Sequence, residues 1–130
     1  MRLIVGGAHQ GKLAYALEQT GLSAAQVVDG AECDLSDVGR IALFTHFHLA
    51  VRRLLQAGEN PMQFVERLLA CNPDIVILAD EVGCGVVPLS REERDWREAA
   101  GRACCELARR ASRVDRVFCG IAVTIKGATK

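Results

Sequence analysis

The tightest constraint on this chain lies in its first twenty residues. The apolar run Arg2-Leu3-Ile4-Val5 stops at Gly6-Gly7, and helical periodicity begins at Lys12. A buried strand, a glycine turn and a helix in that order point to an α/β chain. The turn itself, Gly6-Gly7-Ala8-His9-Gln10-Gly11-Lys12, has the spacing G-x-x-x-x-G-K of a phosphate-binding loop. Glycines let successive backbone N–H groups curl inward toward phosphate oxygens, and the start of the following helix adds its positive end. Lys12 would supply a full charge. The bland alternative is a glycine turn with no ligand. One position departs from the pattern: Leu13 stands where a Ser or Thr hydroxyl would meet magnesium.

Alternating strands and helices continue along the chain. The first helix is expected over Lys12–Thr20, with Leu13, Ala16 and Leu17 on one face and Gly21 as its stop. Short strands are expected at 26–28 and 40–44, separated by a polar, turn-rich stretch from Asp29 to Gly39. A helix follows Thr45 as far as Ala57, ended by Gly58, and another runs from Pro61, which suits a first helical turn, to Ala70. Residues 74–79 read as a central parallel strand covered on both faces. The longest helix is expected from Ser90 to about Ser112. Ser90 with Glu93 forms a capping box, and Trp96, Ala100, Ala103, Cys104, Leu107 and Ala111 share its apolar face. Its arginines and glutamates read as a solvated face rather than a binding stripe. Residues 116–119 and 121–125 close the sheet. The expected architecture is a P-loop NTPase-like α/β fold, a mostly parallel sheet with helices on both faces, in a single domain over residues 1–130.

Composition narrows the function classes. Sixteen basic residues balance sixteen acidic ones, which argues against a nucleic-acid partner. No apolar run reaches the length of a membrane span, and the glycines at 6 and 7 break any signal-peptide pattern at the start, so the expected compartment is the cytoplasm. The six cysteines show no C-x-x-C spacing and read as small buried hydrophobes rather than zinc or redox ligands.

Two further clusters carry potential chemistry. Asp80-Glu81 follows the central strand and belongs to the same sheet edge as the glycine loop if the two strands are parallel. These carboxylates could hold magnesium or accept a hydroxyl proton, or one could cap a turn. Thr45-His46-Phe47-His48 follows strand 40–44. A His-x-His pair can bind metal, but no third ligand accompanies it apart from distant carboxylates or cysteines, and polar residues at a strand-to-helix junction are the favoured explanation. His9 lies inside the loop, in reach of a phosphate or at a merely permissive position.

Together these segments resemble the bifunctional adenosylcobinamide kinase / adenosylcobinamide-phosphate guanylyltransferases. Gly6–Lys12 resembles their phosphate loop. Glu81-Val82-Gly83-Cys84-Gly85-Val86-Val87-Pro88 resembles their E-V-G-x-G-I-V-P signature. Trp96-Arg97-Glu98-Ala99-Ala100-Gly101-Arg102 resembles their F-R-D-x-x-G-R helix, and Arg116–Lys126 their closing strand pair. The resemblance implies a homo-oligomeric enzyme of cobalamin biosynthesis that uses ATP or GTP, with Mg2+, to phosphorylate the aminopropanol hydroxyl of a corrinoid substrate. It implies roles for Lys12 and Glu81 in catalysis, for Gly6, Gly7, Ala8, His9, Gln10, Gly11, Lys12 and Leu13 in nucleotide binding, and for Asp80 and Glu81 at a metal. The family also transfers GMP through a guanylylated histidine on a basic helix. Residues 21–39 contain no histidine and no basic residue, so guanylyl transfer is not expected. Phe44-Thr45 stands where the family carries an acidic residue. Two other readings stay open: a catalytically degenerate nucleotide- or corrinoid-binding regulator or partner subunit, and a metal or corrinoid carrier using His46 and His48.

Overall fold

The computed structural model describes residues 1–81 and 90–127. The glycine signature Val82–Pro88, with Cys84, lies outside the described residues. The element order is β1 (Arg2–Gly6), α1 (Lys12–Thr20), β2 (Val27–Asp29), β3 (Leu43–Thr45), α2 (Phe47–Gln56), α3 (Pro61–Cys71), β4 (Val76–Asp80), α4 (Arg91–Arg110), β5 (Arg113–Phe118) and β6 (Ile121–Lys126). The strands form one sheet in the order β2-β3-β4-β1-β5-β6. Every neighbouring pair is parallel except β5 and β6, a hairpin.

Side-chain alternation along the strands divides the core in two. Leu3, Phe44, Ile77, Ala79 and Val114 face α2, α3 and α4, whose Phe47, Val51, Phe64, Leu68, Ala103 and Leu107 fill the larger layer. Ile4, Leu43, Val76, Leu78 and Val117 face the other way, onto Ala16 with Tyr15 and Leu17 of α1. Helices therefore cover both faces, three on one and one on the other. The central strands are apolar on both sides for this reason.

Glycine, proline and polar caps set the helix ends. Gly21 takes a left-handed conformation and closes α1 onto the Leu17 carbonyl. Asn60 and Pro61 open α3, with the Asn60 side chain accepting the Met62 N–H. Ser90 Oγ accepts the Glu93 N–H at the start of α4. The charges of α4 pair along its surface, Arg102 with Glu98 and Arg109 with Glu106 among them, as a solvated face should.

Several expectations need correction. The strands expected at 74–79 and 116–119 run over Val76–Asp80 and Arg113–Phe118. The strand expected at 40–44 is shorter and later. Arg40 is left-handed at φ 57°, and the Ile41 N–H goes to the Asn72 side chain, 2.7 Å away. The strand at 26–28 slips by one residue because a Ser23–Gln26 capping box folds residues 24–26 into a 3₁₀ turn. None of the described cysteines is fully buried. Of those described, Cys71, Cys105 and Cys119 are exposed and Cys33 and Cys104 half-buried. Burial pushes the Cys104 thiol up to about 11.

Asn72 holds the connection between α3 and β4. Its buried side chain accepts from Ile41 N–H and donates to the Val38 and Leu68 carbonyls. Asn72→Ala leaves these backbone groups short of partners, each worth about 1–3 kcal/mol when buried and unpaired. Chemical denaturation should show a loss of roughly 2–3 kcal/mol.

Candidate active site

The reversal of strand order beside β1 makes the site. The chain crosses from β1 to the far edge at β2, returns through β3 and β4, then passes to β5 on the other side of β1. Ligands of open parallel sheets bind at such a point, beyond the carboxyl ends of the strands. Parallel registry aligns those ends here: Gly6 lies opposite Asp80, and Asp29 opposite Thr45. The loop after β1, the ends of β2 and β4, and the β3–α2 junction all deliver side chains to one edge.

A cleft of about 350 Å³ opens there, lined by Ala8, His9, Gln10, Gly11, Lys12 and Leu13 of the loop with Thr45, His46, His48 and Asp80 opposite. The loop is pinned from behind. Gly120 N–H donates to the Gln10 carbonyl at 2.8 Å, and Cys119 N–H to Gln10 Oε1 at 2.7 Å. The β5–β6 turn thus fixes the loop through Gln10, a role the sequence does not disclose because 109 residues separate the partners. Gly11 enters α1 at φ 92°, which favours glycine. No side chain caps α1, and its first turn carries no acidic residue.

Lys12 reaches across the cleft. Its Nζ donates to the Gly7 carbonyl at 2.8 Å and pairs with Asp80 Oδ1 at 2.5 Å. Asp80 is also tied to His48. Its backbone N–H donates to His48 Nδ1 at 3.0 Å. An N–H can only donate, so the neutral ring carries its proton on Nε2, which lies 3.3 Å from Asp80 Oδ2. Burial pushes the His48 pKa below the ordinary imidazole value, more than the Asp80 charge raises it.

His46 sits 5.9 Å from His48, ring centre to ring centre. Its Nδ1 lies 2.8 Å from Asp29 Oδ1. Partial burial pushes the Asp29 carboxyl up, but the Ala31 N–H, the His46 ring and the Arg53 charge outweigh it and leave the group below the usual carboxylate range. Lys12, Asp80, His48, His46 and Asp29 therefore form a continuous polar row across the strand ends.

The sequence-predicted residues divide. The loop residues from Ala8 to Leu13, with Asp80, line the cleft. Gly6 and Gly7 build the strand end and the turn behind it. Glu81 does not line it. Its carboxylate pairs with Arg116, Oε1 to Nε at 2.8 Å and Oε2 to the guanidinium at 3.1 Å. His46 and His48 join the glycine-loop cleft, with His48 Nδ1 taken by the Asp80 N–H and His46 Nδ1 beside Asp29. Asp29 was hidden in a turn-rich stretch, and only its position at a strand end hinted at the site.

Among the described residues the donor set does not fit a magnesium ion held by the protein. Leu13 has no donor atom, and both Asp80 oxygens are engaged. Among the described residues no group of three His, Cys, Asp or Glu side chains gathers as ligands.

Residues 35–125, well over half of the chain, match the family described as Cobinamide kinase / cobinamide phosphate guanyltransferase. The chain belongs to this family. The matched stretch holds β3, β4 and the closing hairpin, and begins after the glycine loop. Two curated relatives agree. The Bifunctional adenosylcobalamin biosynthesis protein CobU of Escherichia coli K12 is 45% identical over 56 residues, which make up 43% of this chain and 31% of that protein. Its Salmonella typhimurium LT2 counterpart is 43% identical over 56 residues, with the same shares. The match thus spans about a third of these relatives' length.

Proposed function

We propose that this chain is a nucleotide-dependent kinase of cobalamin biosynthesis, moving a phosphoryl group from ATP or GTP to the aminopropanol hydroxyl of a cobinamide. The observation that carries the reading is Lys12, held at the head of a glycine loop in the cleft of a chain that belongs to this family. Backbone N–H groups of the loop and the uncapped start of α1 would receive the phosphates, and Lys12, still paired with Asp80, would turn its remaining N–H to the outer phosphate oxygens. Magnesium would arrive on the nucleotide, coordinated chiefly by phosphate and water. The proposal takes residues 1–130 as one nucleotide-binding domain, and it does not extend to guanylyl transfer.

Homo-oligomeric assembly, implied by the family resemblance, would use the outer face of the hairpin. Phe118, Ile121, Val123 and Ile125 expose 61–68% of their surface there, a row of apolar side chains of the kind that associating proteins cover. Among the described residues no helix is long and apolar enough to cross a membrane. A cytoplasmic location and a partner set without nucleic acid complete the proposal.

Isothermal titration with ATP and GTP, with and without magnesium, tests it. The wild-type chain should bind at least one nucleotide, and Lys12→Ala should bind it more than tenfold more weakly, about the loss of one charge-assisted contact. Phosphate transfer to cobinamide should follow. Binding without turnover would favour the regulator or partner-subunit reading. No binding at millimolar nucleotide would sink both.

A further inference from the structure

We infer that His46, oriented by Asp29, takes the proton of the acceptor hydroxyl during phosphoryl transfer. The inference rests on the kinase reading and adds the group that the reading lacks. A hydroxyl that attacks phosphorus must give up its proton, and the carboxylates expected to accept it are already engaged. Asp80 is held between Lys12 and His48, and Glu81 is turned to Arg116. His48 has no open lone pair, since its Nδ1 accepts the Asp80 N–H and its Nε2 carries the proton.

His46 differs from all of these. Asp29 is ionised and can only accept, so the proton of the neutral His46 ring sits on Nδ1. Nε2 is left with a lone pair and no partner among the described residues, on a residue that lines the same cleft as Lys12. Asp29 is itself fixed, because its Oδ1 accepts the Ala31 N–H at 2.9 Å. Arg53 braces the same turn through the Gly30 and Cys33 carbonyls. An imidazole with one nitrogen locked to a carboxylate and the other open is the arrangement of a general base. His9 also lines the cleft, but no described residue orients its ring.

Helix capping does not account for His46. It occupies the position before α2, yet its side chain makes no capping bond there. Its backbone is left-handed at φ 55°, a conformation that favours glycine and is unfavourable for a side-chain-bearing residue. A strained residue that lines a ligand-sized cleft fits a functional demand.

The transfer balances as follows. The hydroxyl proton passes to Nε2, and the freed oxygen pair forms the bond to the γ-phosphorus. The bond from that phosphorus to its bridging oxygen breaks, and the nucleoside diphosphate leaves with the electron pair. The imidazolium then returns its proton to water.

The test pairs two variants with the wild-type chain, ATP or GTP, and cobinamide. His46→Gly relieves the left-handed strain and leaves room for a free ring, so it should fold at least as well as the wild type. Its turnover should fall about a hundredfold or more, with nucleotide affinity unchanged, and added imidazole should restore part of it. His46→Asn also tolerates the backbone but cannot take a proton, and should show the same loss. Slow nucleotide hydrolysis, with water as acceptor, should follow the same pattern. Wild-type turnover by His46→Gly would overturn the inference alone, as would a loss that imidazole never rescues. A nucleotide-derived label bound covalently to His46 would make the ring a nucleophile and also overturn it. If the wild-type chain transfers phosphate to neither cobinamide nor water, the kinase reading falls and this inference with it.

Discussion

Replacing Asp115 with alanine is expected to remove about 3–5 kcal/mol of stability, the typical loss when one partner of a buried charge network is deleted. Asp115 is fully buried on β5. Its Oδ2 accepts from Tyr15 Oη at 3.0 Å and from the Arg2 guanidinium at 3.2 Å. Oδ1 accepts from Thr124 Oγ1 at 2.8 Å, and Arg113 Nε lies 3.1 Å from both oxygens. One carboxylate thereby joins β1, α1, β5 and β6. Alanine leaves the Arg2 and Arg113 charges without it. Asp115→Asn keeps the volume and some bonds but not the charge, and should fall between the two in a urea titration.

The pH dependence has a definite sign. Burial pushes the Asp115 carboxyl up, but the bonds from Thr124, Arg113, Tyr15 and Arg2 outweigh it, and the folded-state pKa lies below the usual carboxylate value. A group depressed on folding contributes its stability above the unfolded pKa, near 3.9, and loses it as pH falls through the folded value. The gap between the wild type and Asp115→Asn should therefore be flat from about pH 5 upward and close below about pH 4. A gap that widened on acidification would contradict the assignment.

Local chemistry made the helices legible. Gly21, Gly58 and Pro61 stop or start them by backbone conformation and Ser90 by its side-chain cap, all local features, so α1 matches its expected range and the other helices end within two residues of theirs. Strand edges were less legible, because they depend on distant partners. The start of β3 is set by Asn72, 31 residues away, which takes the Ile41 N–H that a strand ladder would otherwise use. Cysteine burial was misread for a related reason. Cys71, Cys105 and Cys119 fall on outward-facing positions, and composition carries no information on which way a position faces.

The site divides along the same line. The loop and Lys12 are contiguous in sequence, so spacing alone reveals them. Asp80 could be placed by reasoning that parallel strands end at one edge. The Asp29–His46 pair needs more: β2 must pair with β3 in the register that sets Asp29 beside Thr45, and His46 must turn left-handed to bring its ring back. Neither condition is written in a motif. Glu81 illustrates the converse. Its sequence position beside Asp80 suggested the cleft, but alternation along an extended chain sends neighbouring side chains to opposite sides, and Glu81 meets Arg116 instead.

The two glycines that open the loop should respond oppositely to alanine. A Cβ at Gly6 would stand 2.4 Å from the Val117 carbonyl oxygen, a backbone atom with no rotamer through which to withdraw. Ordinary carbon–oxygen contacts need about 3.3 Å or more, so β1 and β5 would have to separate by roughly an ångström where they approach. That shift pulls on the hairpin turn, and through Cys119 and Gly120 on Gln10, the clamp of the glycine loop. Gly6→Ala is therefore expected to cost about 3 kcal/mol, the upper end for overpacking, and, on the proposed kinase reading, to abolish nucleotide binding at concentrations where the wild type saturates. A Cβ at Gly7 meets nothing nearer than Gln10 Cγ at 3.5 Å, an ordinary contact with a side chain that can yield. Gly7→Ala should unfold within about 1 kcal/mol of the wild type. Equal losses from the two variants in thermal unfolding would mean that general loop flexibility, and not the β1–β5 contact, requires glycine at position 6.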